Sequence, residues 1–84
     1  MTRQVYVGNL PGSMTEATLS SKFSEHGKVA RVKVVTDHRT GRSLGYGFVE
    51  METTAMAKRV IAELDGQDYD GWLLTVRTAT PNHT

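Results

Sequence analysis

Cysteine is absent from this 84-residue chain, which excludes disulfide staples and thiolate metal sites and fits a reducing compartment. No apolar run approaches the ~20 residues a spanning helix needs. The polar start Met1-Thr2-Arg3-Gln4 does not read as a signal peptide, so an intracellular setting is expected, with the cytoplasm ahead of the nucleus. Asn82-His83-Thr84 matches the glycosylation tripeptide, but without a secretory signal it reads as plain tail. Charge of either sign is nearly balanced at a net +1, so bulk charge gives no hint of a polyanionic partner. Proline occurs only at Pro11 and Pro81, and aromatics make up only 7% of the residues. Apolar residues, at 38%, suffice for one small folded domain over residues 1–84, with an ordered part from about 3 to 79 and a polar tail at 80–84.

Three of the few rings fall on two short segments. Val5-Tyr6-Val7-Gly8-Asn9-Leu10 carries one, and Leu44-Gly45-Tyr46-Gly47-Phe48-Val49-Glu50-Met51 carries two. Strand side chains alternate between faces, so Val5 and Val7 oppose Tyr6. By the same rule Tyr46 and Phe48 share a face, roughly 7 Å apart, opposite Val49 and Met51. If the valines face the core, all three rings face water, and base stacking is a common reason for such a surface.

The remaining pattern sets the architecture. Residues 3–9 read as a strand broken by Pro11-Gly12. Thr15 is an N-cap followed by Glu16 in a first helical turn, Leu19 and Phe23 share a helix face, and Gly27 marks the stop. A β-branched stretch holding Val29, Val32 and Val34 runs to about Thr36. The polar loop from Asp37 to Ser43 then joins it to the aromatic strand as a hairpin. A second helix follows Thr53-Thr54, with Ala57, Val60, Ile61 and Leu64 as its buried stripe and Asp65-Gly66 at its end. Gln67 to Gly71 reads as a polar connection, and residues 72–79 as a last strand with Leu74 and Val76 inward. The order β-α-β-β-α-β predicts an α+β, ferredoxin-like sandwich: a four-stranded antiparallel sheet with both helices on one face and the first and third strands central. Neighbouring strands lie about 4.8 Å apart, which brings Tyr6 within reach of Tyr46 and Phe48 on the open face.

Charge is unevenly spread. Lys28, Arg31, Lys33, Arg39 and Arg42 against Asp37 make the stretch from Gly27 to Val49 basic, whereas Glu50 to Gly71 is acidic. Alternation puts Gln4, Lys33, Val35, Glu50, Thr75 and Arg77 on the face of the rings. Lys33, Arg39, Arg42 and Arg77 are candidates for phosphate or base-edge contacts. Glu50 would repel phosphate or accept a base amino group, and Asn9 is expected to hydrogen-bond within its own turn. His26, His38 and His83 lie apart, and no grouping of His, carboxylate and nucleophile has a recognisable spacing. Gly41, Gly45 and Gly47 form no phosphate-binding fingerprint, and the Asn9–Thr15 loop holds no basic residue to cradle phosphate.

The two aromatic segments resemble the hexamer and octamer motifs of the RNA recognition motif family, and the resemblance runs from about Gln4 to Ala79. Asp37, Thr40-Gly41, Ser43, Leu64-Asp65-Gly66, Gly71, Leu74, Val76 and Ala79 are similar to the family as well. It implies that Tyr6 and Tyr46 each stack on a base and that Phe48 touches sugars or wedges between nucleotides. It further implies a non-enzymatic, cofactor-free monomer that binds single-stranded RNA, or single-stranded DNA, away from membranes. Its role would be post-transcriptional, in RNA processing, stability or translation. Leu44 stands where the family usually has a cation, with Arg42 and Arg39 in the adjoining loop as substitutes. Met51 replaces a final aromatic on the core side, and Trp72 is expected to cover a sheet edge or helix end. The alternative is a protein–protein interaction or dimerisation module on the same fold.

Overall fold

The computed structural model describes residues 2–69 and 71–79, with the backbone alone at Tyr69 and Trp72. The tail at 80–84, with Pro81, Asn82 and His83, and the expectation for the Trp72 ring lie outside the described residues. Two threonines set the helix starts. Thr15 Oγ1 accepts from the Thr18 N–H at 3.1 Å, and Thr53 Oγ1 accepts from the Met56 N–H at 3.1 Å, each satisfying a donor that the helix leaves free. The elements are β1 (Gln4–Gly8), α1 (Glu16–Ser24), β2 (Val29–Thr36), β3 (Ser43–Met51), α2 (Thr54–Leu64), β4 (Asp68–Tyr69), β5 (Trp72–Leu73) and β6 (Thr75–Thr78).

The main sheet has the order β2-β3-β1-β6, all antiparallel, so β1 and β3 are central as their motifs require. One face is covered. Val5, Val7, Val49, Met51 and Val76 are fully buried against Leu19 and Phe23 of α1 and Ala57, Val60 and Leu64 of α2. Among the described residues the buried set contains no polar or charged side chain, so the core is a plain apolar layer between helices and sheet. No described helix is long and apolar enough to cross a membrane.

The stretch after α2 differs from expectation. Gln67 to Gly71 is not merely a connection: Asp68–Tyr69 pairs with Trp72–Leu73 in a small antiparallel hairpin. The last strand is accordingly split at Leu74, whose N–H donates to the Gln67 carbonyl at 2.9 Å while its carbonyl accepts from the Gly66 N–H at 2.8 Å. These bonds turn Leu74 back toward the end of α2, so only residues from Thr75 onward pair with β1.

Both sheet edges are blunted by helix-borne carboxylates. Glu16 Oε2, in the first turn of α1, accepts from the Val34 N–H of β2 at 3.1 Å. Asp65 Oδ1, at the end of α2, accepts from the Val76 N–H of β6 at 2.9 Å. Each occupies a donor that an edge strand would otherwise offer to another chain. The turn that follows α1 is tied to α2 by His26 Nδ1 and Glu63 Oε1 at 2.8 Å, with Arg59 Nε donating to Glu63 Oε2 at 3.1 Å. The hydrogen bond with His26, and next that with Arg59, holds the Glu63 carboxyl below its ordinary value.

Candidate nucleic-acid interface

Register brings the rings together. Tyr6 on β1 pairs with Phe48 on β3, and Gly8 pairs with Tyr46 one step on. Ring centroids are 5.9 Å apart for Tyr6 and Phe48, 6.1 Å for Tyr6 and Tyr46, and 6.2 Å for Tyr46 and Phe48. The two tyrosines lie within 29° of parallel, while Phe48 meets both edge-on, arrangements the ring quadrupoles favour. All three rings are half-buried and pack against one another.

Two glycines make this arrangement possible. A Cβ on Gly8 would lie 2.7 Å from the Tyr6 hydroxyl oxygen and 2.9 Å from its ring edge, so the Tyr6 ring rests across bare backbone. A Cβ on Gly47 would run into the Lys33 carbonyl of β2, so glycine lets the two strands close up between Tyr46 and Phe48.

The same register places the expected polar residues. Lys33 pairs with Phe48 and Arg77 with Tyr6, so one row across the open face reads Lys33, Phe48, Tyr6, Arg77: a cation, two rings, a cation. Gln4 pairs with Glu50, and Glu50 with Arg31, in the adjacent row. Thr75 lies opposite Gly8. Val35 falls in a register slip between Val34 and Thr36 and is half-buried.

The loop cations sit apart from this row. Arg39 is exposed on a loop that Asp37 closes, its carboxylate accepting from the Arg39 N–H at 2.7 Å. The Arg42 guanidinium lies against Gly12 of the β1–α1 loop, with Nη2 2.6 Å from where a Gly12 Cβ would stand. Leu44 is 54% exposed at the start of β3, and Leu73 is 60% exposed on β5.

Asn9 departs from expectation. Its side chain does not stay within its own turn: Nδ2 donates to the Leu73 carbonyl at 2.7 Å and ties the end of β1 to β5. Its backbone is left-handed, φ 63°, a conformation asparagine tolerates better than most residues. Sequence reasoning also passed over Arg3 and Arg31, the partners of Glu50. Arg3 Nη2 donates to Glu50 Oε2 at 2.7 Å, and Arg31 Nε lies 3.5 Å from Glu50 Oε1. Arg31 was findable, two residues before Lys33 on the same face. Arg3 was not, because alternation puts it with Val5 on the covered side, and only its place at the strand end lets it wrap around.

Comparison with known proteins gives a consistent result. A family model described as RNA recognition motif matches residues 5–75. The chain is 48% identical over 77 residues to a putative RNA-binding protein, RbpE, of Nostoc sp., covering 92% of this chain and 78% of that protein. It is 47% identical over 78 residues to a chloroplastic 28 kDa ribonucleoprotein of Nicotiana sylvestris, covering 93% of this chain. The chain spans only 28% of that ribonucleoprotein's length. Among solved structures, the RRM of Rna15 with bound RNA (GU) superposes with a TM-score of 0.86 at 29% identity, covering 98% of this chain and 86% of that one.

Proposed function

We propose that this chain, which belongs to the RNA recognition motif family, binds single-stranded RNA by stacking bases on Tyr6 and Tyr46 at the centre of its open sheet face. The observation that carries this reading is the cross-sheet row Lys33, Phe48, Tyr6, Arg77, with Tyr46 packed beside it. Stacking on a ring is worth about 1–3 kcal/mol per base and tolerates any sequence, because every base has a π-face. Phe48, edge-on to both tyrosines, suits contact with a ribose or a wedge between nucleotides. Lys33 and Arg77 flank the rings at a separation of three strand spacings, roughly 14 Å, a span that two successive nucleotides cross. Phosphates then meet a cation on either side while bases lie between, and the sheet takes about two to four nucleotides directly.

Salt dependence follows from the number of cations engaged, so a shallow slope is expected from so few. Arg39 and Arg42 extend the reach beyond the sheet on the loop side. The role is one of binding, not catalysis: a post-transcriptional one in RNA processing, stability or translation, carried out inside the cell by a monomer. Single-stranded DNA is a weaker fit, since discrimination rests on the 2′-hydroxyl.

The test is titration with random-sequence RNA, followed by amide and aromatic NMR signals. Shifts concentrated at Tyr6, Tyr46 and Phe48 support the reading. In the triple variant Tyr6→Ala, Tyr46→Ala, Phe48→Ala, binding is expected to vanish while the fold persists. Absence of shifts at those residues in the parent protein refutes it and turns attention to an interaction module on the same scaffold.

A further inference from the structure

A carboxylate on a face that meets a polyanion needs a reason, because it repels phosphate. Glu50 is such a group. It stands beside Phe48 in a cavity of about 310 Å³ lined by Gln4, Arg31, Val32, Lys33, Phe48 and Glu50, room enough for one nucleobase. Its side chain is 18% exposed, and Arg3 and Arg31 hold it on opposite oxygens. We infer that this cavity reads guanine, with Glu50 as the acceptor that selects it; the inference rests on the RNA-binding reading above.

The chemistry separates the four bases. On its Watson–Crick edge guanine presents two adjacent donors, N1–H and the 2-amino group, which match the two oxygens of one carboxylate. Adenine and cytosine each set a ring-nitrogen lone pair beside their amino group, so a carboxylate meets one donor and one repelling acceptor. Uracil offers a single N–H between two carbonyl oxygens and fares worse. The guanine O6 next to that donor pair calls for a donor in turn, and Arg31, Lys33 and the Gln4 amide line the same cavity.

Arg3 and Arg31 do not exhaust Glu50. A carboxylate has about four acceptor sites, and the two arginines use two of them, one at the long distance of 3.5 Å. They also offset its charge, so the pocket keeps a directional acceptor without a net repulsion toward the RNA backbone. Discrimination by such a pocket is partly negative: a wrong base leaves the carboxylate facing a lone pair.

The experiment uses four five-nucleotide RNAs, all uridine except for a central G, A, C or U, with affinity read by fluorescence anisotropy. The G-containing RNA is expected to bind roughly tenfold tighter than the others. Replacing that guanosine by inosine, which lacks only the 2-amino group, is expected to cost several-fold on the unaltered protein. In Glu50→Gln the preference for G over A is expected to collapse, since an amide cannot accept both donors. Equal affinity for all four RNAs, no penalty for inosine, or a preference surviving in Glu50→Gln each overturns the guanine assignment while leaving RNA binding in place. Failure of all four RNAs to bind overturns the RNA-binding reading and this inference with it.

Discussion

On β1 and β3 the same strands serve two surfaces with opposite demands. Val5, Val7, Val49 and Met51 are fully buried beneath the helices, while Tyr6 and Phe48, interleaved with them, remain half-buried on the other side. A one-residue step decides which surface a side chain joins, because strand side chains alternate. The covered face therefore carries stability, and the open face is the one we propose for recognition. The two can be changed separately.

The largest effect belongs to the covered face. Phe23 is fully buried on α1 and belongs to the core cluster beneath the covered face. Phe23→Ala is expected to cost about 3–5 kcal/mol in urea unfolding, a large share of a small domain's stability. On the open face, Gly8→Ala tests whether the pose of Tyr6 matters. The new methyl displaces the ring that rests on Gly8, and RNA affinity is expected to fall about fivefold while the melting temperature barely moves. Equal loss of stability and affinity would dissolve the separation between faces.

Smaller still is the gain from Leu44→Lys. Leu44 is exposed two residues before Tyr46, so a lysine there adds a cation at the rim of the rings without disturbing the core. Affinity in low salt should rise a few-fold, and the slope of log affinity against log salt should steepen by about 0.7, one phosphate's worth for a single strand. A rise in affinity with an unchanged slope would mean the lysine meets something other than phosphate. The smallest effect is on the helical side. Glu63 has its carboxyl lowered in the folded state by His26 and Arg59, so its contribution to stability is complete above the unfolded value of 4.5. That contribution is lost as the pH falls below it. Thermal unfolding at a pH below 4.5 should therefore show a slight loss that Glu63→Gln lacks.

Much of the molecule was legible because its signals are local. Thr15 and Thr53 cap helices through donors three residues away, and Leu19 and Phe23 share a face by helical pitch alone. Tyr6, Tyr46 and Phe48 could be assigned to one face from alternation plus element order. Asn9 was misread because its partner, the Leu73 carbonyl, lies 64 residues further on. The hairpin of β4 and β5 was missed because strands of two residues carry no periodicity to detect.

The amino-acid order by itself determined the alternation, the caps, the β-α-β-β-α-β succession and the side of its strand on which each of the three rings stands, since each depends on nearby residues. Tertiary structure alone decided which side chains meet across strands. Antiparallel register set Lys33 against Phe48 and Arg77 against Tyr6. The end of β1 let Arg3 reach around to Glu50, and the turn at Leu74 sent the chain back along β1. Pairings of that kind follow from how separate segments align in space, and no local pattern encodes the alignment.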